Sequence, residues 1–408
     1  MVLRTYLFSI RQIRDSYGVR RPASWQNSRR RNDREWGRPL DSEPSQAQAI
    51  AFAGTYADAC GRFLGAAYDC AEIASWQHPL CGPAGESLAV DCAWLGPPAA
   101  PSVVVVVSGT HGVEGFSGSG IQVDLLLRGV GRLPPETALL LIHGLNPWGF
   151  AWLRRVNEDG VDLNRNFVDF DDAIPSNPLY PEIAAALVPA ALDADTLTED
   201  ERLIDRFRAK HGEAVFQFTR KAGQYVDPQG VFFGGTAPAW SRTTLAAIAD
   251  RFRLAGRQSI ATIDVHTGLG PFGYGEIILK NAPESATAAR CRQWFGRSLT
   301  EPARGTSSTP RVHGSASNFW TNLGPPLAAF VVLEYGTFGP EQGRLALRDD
   351  HWLHKHGIVD WNDATTRRIK ARLKEHYHPG TADWNEMVLW RGRQVIRQAL
   401  DGVSGAGG

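Results

Sequence analysis

A histidine and a glutamate three positions apart stand in the glycine-rich segment of residues 108–115 (SGTHGVEG). His111 offers an imidazole nitrogen and Glu114 a carboxylate oxygen, and zinc accepts both kinds of donor. A catalytic zinc site uses three protein ligands and leaves a further position open for water. The pair therefore indicates two zinc ligands, although a histidine and a glutamate at this spacing also occur together by chance.

A third candidate ligand, His266, follows the strand-like run of residues 259–265. Asp264, two positions earlier, is suited to orient an imidazole by accepting its second N–H. The alternative for His266 is a loop histidine that hydrogen-bonds with its surroundings and binds no metal. We favour the ligand because His111 also follows a strand-like run, residues 103–107.

Glu334 follows another apolar run, residues 327–333. A carboxylate that is buried without a partner is energetically costly, so Glu334 needs a partner or a chemical purpose. Beside metal-activated water it could serve as the general base, taking a proton and returning it to the leaving group. A salt bridge to an arginine is the structural alternative. The accompanying metal candidates favour the general base.

Residues 157–167 (NEDGVDLNRNF) place a guanidinium next to an amide. Arg165 and Asn164 suit a substrate carboxylate, because a guanidinium binds both carboxylate oxygens through forked hydrogen bonds. Arg155, or alternatively Arg154, could stabilise the oxyanion that forms when water attacks a carbonyl. Together with a metal site, these residues predict hydrolysis of an amide bond near a free carboxylate.

The elements that must position these side chains are continuous aliphatic runs, typical of strands that are covered on both faces. A segment of helical character separates the first two runs, and this alternation predicts an α/β sandwich with a mainly parallel sheet. Ligands of such sheets bind beyond the carboxyl ends of the strands, where the candidate residues stand. The runs are residues 103–107, 138–143, 259–265 and 327–333.

An ordered set of motifs resembles the zinc carboxypeptidase superfamily, which includes the aspartoacylase and succinylglutamate desuccinylase branch. The set consists of His111-x-x-Glu114, residues 162–167 (DLNRNF), His266 and Glu334. The resemblance extends over residues 100–340. Within it, residues 109–115 and 233–236 look most like a bacterial branch whose biological role is unassigned.

The resemblance implies a zinc-carboxypeptidase-like three-layer α/β sandwich with a mixed, mainly parallel central sheet. It also implies one Zn²⁺ per chain and a small peptide or an N-acyl amino acid as the substrate. The implied roles are zinc ligation by His111, Glu114 and His266, carboxylate recognition by Asn164 and Arg165, oxyanion stabilisation by Arg155, and general-base catalysis by Glu334.

One departure concerns the tyrosine that carboxypeptidases usually carry upstream of the catalytic glutamate. No tyrosine stands between Gly275 and Glu334, and His313 lies nearest to the expected place. His313 is therefore a candidate substrate-binding residue that donates a hydrogen bond, with an ordinary surface histidine as the alternative. The departure leaves two reactions open: a peptidase of carboxypeptidase type, which we favour, and deacylation of an N-acyl amino acid.

Other classes of function have weaker support. Residues 268–273 (GLGPFG) match the dinucleotide-binding fingerprint, but Pro271 interrupts the expected turn and no clear helix pattern follows. The sequence contains no G-x-S-x-G nucleophile elbow of a serine hydrolase. A non-catalytic zinc-binding protein is a further alternative, although such a protein needs neither a base like Glu334 nor an anchor like Arg165.

Charge and hydropathy limit the partners. The 408 residues include 43 basic and 43 acidic side chains, so no overall field attracts nucleic acid or an anionic membrane, and we expect neither as a partner. The longest apolar run, residues 103–107, is too short to span a bilayer. Residues 1–20 lack the apolar core of a signal peptide, so we predict a cytoplasmic enzyme.

The composition also suggests how the chain is divided. Residues 1–45 are rich in arginine and lack clear periodicity, which predicts a disordered extension, with a basic arm for nucleic acid as the alternative. Residues 46–402 are predicted to form a single zinc-hydrolase domain with an elaboration near residues 171–258. Residues 403–408 are predicted to form a flexible tail.

Overall fold

The computed structural model describes residues 50–129 and 133–405. The predicted extension, residues 1–45, lies outside the described residues, as do residues 406–408 of the predicted tail. The predicted domain end at residue 402 falls inside the last helix, which continues to Gly405.

One mixed sheet organises the described residues. Its strands are β1 (Glu72–Cys81), β2 (Ser87–Leu95), β3 (Ser102–Val107), β4 (Thr137–His143), β5 (Ser259–Phe272), β6 (Gly275–Ile278), β7 (Leu299–Thr300) and β8 (Leu327–Gly336). Their order across the sheet is β1-β2-β4-β3-β5-β8-β6-β7. The four central strands, β4, β3, β5 and β8, run parallel, while β2 and β6 pair antiparallel on either side of them. The prediction of a mixed, mainly parallel sheet is confirmed.

Helices connect and cover these strands. They are α1 (Tyr56–Ala67), α2 (Gly115–Arg128), α3 (Pro147–Ala151), α4 (Leu163–Asn166), α5 (Ala184–Leu187), α6 (Ala194–His211), α7 (Glu213–Lys221), α8 (Trp240–Arg251), α9 (Ala286–Phe295), α10 (Ser317–Asn322), α11 (Pro340–Lys355), α12 (Ala364–Tyr377) and α13 (Ala382–Gly405). None of the helices within residues 50–129 and 133–405 has the length and apolar character that a bilayer crossing needs.

The valines of β3 show why the central strands consist of continuous apolar runs in the sequence. Val104 and Val106 pack on one face of the sheet, in a core that includes residues of α2, α9 and α13. Val103, Val105 and Val107 pack on the other face, in a core that includes residues of α8. Because successive side chains point to opposite faces and both faces are covered, every position is apolar. The predicted three-layer α/β sandwich is therefore confirmed.

The predicted elaboration near residues 171–258 has two parts, since α8 covers one face of the sheet while α6 and α7 pack elsewhere. Its helices α6 and α7 contribute Phe207 and Phe216 to a separate apolar core, to which α11 and α12 contribute Leu347 and Leu373. This packing holds the end of α7 near the carboxyl edge of the central strands.

The dinucleotide-like segment, residues 268–273, has a different role. It forms the end of β5 and the turn into β6, so a strand follows it and no helix N-terminus is available for a pyrophosphate. Gly268, Gly270 and Gly273 all have positive φ angles, which explains the three glycines by the path of the backbone.

Candidate active site

Three side chains from two neighbouring strand ends converge at the carboxyl edge of the sheet. His111 and Glu114 follow β3, and Glu114 ends the short 3₁₀ helix Gly112–Glu114. His266 lies in β5, which neighbours β3. The possible ligand atoms of the three side chains all lie within 4.8 Å of one another, and all three residues are buried. The structure thus brings together the three predicted metal ligands.

Glycine at position 112 permits this arrangement. A Cβ atom there would lie 2.0 Å from the carbonyl carbon of Gly149 and 2.3 Å from the backbone nitrogen of Phe150. The two backbones approach closely, and the Gly112 N–H donates to the carbonyl oxygen of Arg155 at 3.2 Å. The glycine-rich sequence around His111 is therefore needed for close backbone packing behind the site.

The three side chains present their donor atoms to one point. Nδ1 of His111 lies 2.9 Å from Oε1 of Glu114, and Nδ1 of His266 lies 2.9 Å from Oε2 of Glu114. The two Nδ1 atoms are 3.0 Å apart. Two imidazole nitrogens and a carboxylate facing one another form a donor set that zinc accepts.

A second layer of carboxylates sets the orientation of both imidazoles. Nε2 of His111 lies 3.0 Å from Oδ1 of Asp162, and Nε2 of His266 lies 3.0 Å from Oδ2 of Asp264. A carboxylate only accepts hydrogen bonds, so each Nε2 carries a proton and donates it. Each Nδ1 is then the atom available to a cation, as in carboxylate–histidine–zinc arrangements. The residues present therefore fit a zinc ion.

Electrostatics within the cluster favour ionised groups. Burial opposes the charge on His266, but Asp264 and Glu114 outweigh it and raise the pKa of His266 well above its usual value. Burial likewise opposes the charge on Glu114, yet His111 and His266 hold the pKa of Glu114 below its usual range. Such strong mutual interaction is the electrostatic character expected of a site built to hold a cation.

Glu334 lies beside this cluster on β8, directly across from His266 in the strand register. Its Oε1 accepts a hydrogen bond from the backbone N–H of Leu269 at 3.1 Å. Burial and the charge of Glu114 raise the pKa of Glu334 to about 7, against the opposing effects of His266 and Lys280. Among the described residues, no arginine or lysine forms an ion pair with Glu334, so the structural alternative of a salt bridge lacks support.

The structure distinguishes the two neighbouring arginines. Nη1 of Arg155 donates to Oδ2 of Asp162, and its Nε lies 3.8 Å from Oε1 of Glu114. Arg154 instead donates from Nε to Oδ2 of Asp350 at 2.9 Å, in a buried ion pair outside the cluster. Arg155 is therefore the arginine in position to stabilise an oxyanion.

Asn164 and Arg165 belong to the short helix α4, which begins beside the cluster. Nδ2 of Asn164 lies 3.2 Å from Nε2 of His266. Nε and Nη2 of Arg165 donate to the carbonyl oxygen of Lys221 at 3.1 and 2.6 Å, which fixes the guanidinium plane. Burial lowers the pKa of Arg165 to about 10, so its side chain is cationic at neutral pH.

These side chains surround a cavity of about 110 Å³. The predicted site residues that line it are His111, Glu114, Arg155, Asn164, Arg165, His266 and Glu334. His313 is not among the lining residues, although Val312 is. The His313 N–H donates to the carbonyl oxygen of Ala222 at 2.9 Å, and its ring lies edge-on to that of Phe218, with 6.2 Å between centroids.

A tyrosine lines the cavity from an unexpected part of the chain. Tyr377 ends α12 and follows Glu334 in sequence, so a search upstream of the base does not find it. Thr267 Oγ1 donates to the Tyr377 carbonyl oxygen at 2.6 Å, while a Cβ at Gly268 would lie 2.8 Å from the ring. The hydroxyl of Tyr377 has no hydrogen-bond partner within the described parts of the chain.

Sequence reasoning also missed Asp162, Lys221 and Lys280. Asp162 stands inside the DLNRNF segment, where its spacing from Arg165 gives no sign that it contacts His111. Lys221 ends α7, and Lys280 follows β6 by two residues. Neither lysine belongs to a motif, and only the folded chain places both in the cavity wall.

Several solved structures are similar to this chain. A carboxypeptidase A from Helicoverpa armigera has 13% identity and a TM-score of 0.44, over 86% of this chain and 75% of that one. A murein-tripeptide amidase from Escherichia coli O157 has 16% identity and a TM-score of 0.35, over 70% and 95%. A succinylglutamate desuccinylase from Chromobacterium violaceum has 16% identity and a TM-score of 0.34, over 77% and 72%.

At such identities and TM-scores, the likenesses do not define a reaction. Comparison with curated proteins gives no match. A family model described as "Protein of unknown function (DUF2817)" matches residues 52–391, which is most of the chain. The chain therefore belongs to the DUF2817 family.

Proposed function

We propose that this protein is a zinc-dependent hydrolase of carboxypeptidase type that cleaves an amide bond near a free carboxylate. The observation that carries the proposal is the position of Glu334. A buried carboxylate with no ion-pair partner among the described residues lies across from His266, next to a donor set suited to zinc. A purely structural metal site needs no such base.

A zinc ion on His111, Glu114 and His266 would supply Lewis-acid chemistry, which activates water and polarises a carbonyl. Glu334 acts as the general base, because burial and the charge of Glu114 bring its pKa to about 7, close to neutral operating pH. It takes a proton from the attacking water and returns that proton to the nitrogen of the leaving amine.

Two cationic side chains divide the remaining tasks. Arg155, which is held by Asp162 near Glu114, donates hydrogen bonds to the oxyanion as negative charge develops on the carbonyl oxygen. Arg165, together with Asn164, binds the free carboxylate of the substrate. Because the carbonyl oxygens of Lys221 and Asn164 accept hydrogen bonds from the guanidinium of Arg165, it is ordered before the substrate arrives.

Within this class, the protein is a peptidase of carboxypeptidase type or, as the second candidate, a deacylase of N-acyl amino acids. The cavity of about 110 Å³ favours small groups, since pockets for drug-sized ligands are typically about 300–1,000 Å³. A single terminal amino acid of a peptide is small enough for a cavity of this volume, and so is an N-acyl amino acid.

The test is hydrolysis by the zinc-loaded protein of two substrate panels, peptides with free carboxyl termini and N-acyl amino acids. We expect turnover of at least one panel, with kcat about 10²–10⁴-fold lower in Glu334→Gln. Glu386→Gln changes an exposed glutamate outside the cavity and should behave as the wild type. Equal rates for Glu334→Gln and the wild type would rule the mechanism out. The panel that is turned over separates peptidase from deacylase.

A further inference from the structure

A second group of side chains that bind metals lies outside the candidate active site. Cys60 lies on α1, Asp91 on β2 and His143 at the end of β4. Their possible ligand atoms all lie within 4.8 Å of one another. None of the three residues lines the cavity that holds the proposed zinc ligands. This cluster therefore needs an explanation of its own.

The fold brings the three side chains together from separate elements. Asp91 and His143 are directly paired in the antiparallel ladder of β2 and β4, so their side chains project from the same face of the sheet. Helix α1 covers that face, because the ring of Phe63 stacks on that of His143 with 4.5 Å between centroids and 19° between planes. Cys60 stands three residues before Phe63 and therefore on the same side of α1. The packing of α1 on the sheet thus presents the thiol to Asp91 and His143.

The ring of His143 has a nitrogen without a partner. His143 is fully buried, and its Nε2 lies 2.9 Å from the hydroxyl oxygen of Ser119. Burial lowers the pKa of His143 to about 3, so the ring is neutral at neutral pH and donation from Nε2 leaves a lone pair on Nδ1. Nδ1 is buried and has no hydrogen-bond partner within residues 50–129 and 133–405. Such a nitrogen is costly to bury, and a metal ion would satisfy it.

Asp91 is a buried carboxylate that lacks a cation. Its Oδ1 accepts a hydrogen bond from the Ser75 hydroxyl, and no basic side chain in the described part of the chain forms a salt bridge with it. A divalent cation would supply the missing charge. A thiolate, a carboxylate and a neutral imidazole carry two negative charges together, so a zinc ion would make the buried cluster neutral.

The donor atoms suit zinc in type and spacing. Zinc binds sulfur at about 2.3 Å and nitrogen or oxygen at about 2.0–2.2 Å, which places the donors of a tetrahedral ion about 3.3–3.6 Å apart. Small side-chain movements would therefore close the cluster around an ion. Cys60 is partly exposed, which gives the ion a path from solvent and leaves the fourth position to water. We propose that Cys60, Asp91 and His143 form a second metal site, which takes one zinc ion.

This second site should fill after the candidate active site. Carboxylates orient the imidazoles of His111 and His266, whereas a hydroxyl, that of Ser119, contacts the imidazole of His143. Loss of an orienting partner typically weakens metal binding about 10–100-fold. We therefore expect the first zinc to occupy the active site and the second zinc to bind more weakly at His143.

The second zinc has a structural role. Directly after β4, the backbone N–H groups of Leu145 and Asn146 donate to the carbonyl oxygens of Ser108 and Gly109 at 2.9 and 2.8 Å. These hydrogen bonds connect the end of β4 with the segment that carries His111. A metal ion on His143 would hold that end of β4 against α1 and so support the active site from behind.

Cobalt(II) distinguishes the two sites, because only the second contains a cysteine. A thiolate bound to cobalt gives a charge-transfer band in the near ultraviolet, which a site of histidine and glutamate lacks. Titration of the metal-free wild type should produce this band. In His266→Ala, which lacks a ligand of the active site, the band should reach its plateau at one cobalt per chain. Absence of the band at saturating cobalt would overturn the proposal.

Variants identify the ligands. Cys60→Ser should abolish the band, and Asp91→Asn should weaken the binding of cobalt to this site at least about tenfold, because a charged ligand is lost. Cys81→Ser makes the same change at an exposed thiol and should keep the band. A band that persists in Cys60→Ser would overturn the proposal.

Alkylation tests the site in the unmodified protein, so it does not depend on the folding of a variant. Excess zinc should slow the reaction of Cys60 with iodoacetamide at least about tenfold, because a coordinated sulfur is no longer a free thiolate. Mass spectrometry of the peptides measures the rate, and the exposed Cys81 serves as the control that should not change. Equal rates at Cys60 with and without zinc would overturn the proposal.

Metal content separates this proposal from the proposed function. The wild type should bind two zinc ions per chain, and Cys60→Ser and His266→Ala should bind one each. Cys60→Ser should hydrolyse substrate within about twofold of the wild-type rate, since the loss of a supporting ion leaves the reacting groups in place. Zinc content in Cys60→Ser equal to that of the wild type would contradict the second site and leave the hydrolase intact. Two bound zinc ions without hydrolysis would contradict the proposed function and support the second site.

Discussion

His266 and Glu334 lie directly opposite each other on the adjacent parallel strands β5 and β8. Neighbouring strands are about 4.8 Å apart, and paired residues project from the same face of a sheet. The register of the ladder therefore sets His266, a proposed metal ligand, beside Glu334, the proposed general base. Two rigid central strands hold both groups, and such support gives a reaction centre more exact geometry than loops do.

The orientation of His266 by Asp264 can be tested through metal affinity. Asp264→Asn replaces the charged acceptor of the Nε2 proton with a neutral amide, so we expect zinc to bind about 10–100-fold more weakly. Competition of the metal-free protein with a chromophoric chelator measures this change. Asp250→Asn alters an exposed aspartate on α8 and should leave the affinity unchanged. Equal affinity in the Asp264 variant would show that the carboxylate does not support the ligand.

The raised pKa of Glu334 predicts a pH dependence of stability in the metal-free protein. Its pKa is about 7 in the folded state against 4.5 for the ordinary group, so between these pH values the folded state binds more protons than the unfolded state. The contribution of Glu334 to the free energy of unfolding therefore falls as pH rises, by up to about 3 kcal/mol.

Glu334→Gln removes this titration. Relative to the wild type, the metal-free variant should gain stability as pH increases from 4.5 to 7 and hold a constant difference above that range. Urea unfolding at a series of pH values measures the difference. Parallel stability curves for the two proteins would contradict a raised pKa at Glu334.

The predictions from sequence were best where a pattern follows directly from burial. The run Val103–Val107 predicted a central strand because strands covered on both faces are apolar at every position. The edge strand β1 was missed because most of its residues are exposed or partly buried and show no regular alternation. Strand β6 was missed because its four residues are too few to show a period.

For the candidate site, too, residues near a local sequence pattern could be predicted, whereas residues brought in by long-range packing could not. The convergence of His111, Glu114 and His266 could be predicted because each follows closely on a recognisable apolar run of the sequence. Lys221, Lys280 and Tyr377 could not, because their chemistry depends on packing between distant segments of the chain. His313 was proposed from its place in the sequence, and the structure puts it outside the set of cavity-lining residues.

Arg165 should determine the preference for a free carboxylate. Arg165→Met is expected to lower kcat/KM about 10–100-fold for a substrate with a free carboxylate, since a charge-assisted hydrogen bond is lost. The same substrate with its carboxylate amidated serves as the control and should respond much less. Arg165→Lys should restore little activity because lysine lacks the forked donors. A loss of equal size on both substrates would assign Arg165 a structural role.

Asp350 should be important for stability and not for chemistry. It accepts from Arg154 at 2.9 Å and from Lys370 at 2.6 Å, and all three residues are buried. Asp350→Asn leaves both cations without a charged partner, so we expect a loss of about 3–5 kcal/mol in the free energy of unfolding. Chemical denaturation measures this loss.

An exposed ion pair provides the control for Asp350. Glu199→Gln breaks the pair of Glu199 with Arg206, in which both side chains are more than half exposed, and should cost at most about 1 kcal/mol. If the two variants lose similar stability, the buried network around Asp350 is not a major stabilising feature.

The central claim is that zinc on His111, Glu114 and His266 supports hydrolysis, and the most direct test is a zinc titration of the metal-free protein with activity as the readout. Activity should rise from a negligible value to a plateau at one zinc per chain, and His266→Ala should reach no such plateau. Full activity in the metal-free protein, or the same titration curve for His266→Ala, would contradict the account.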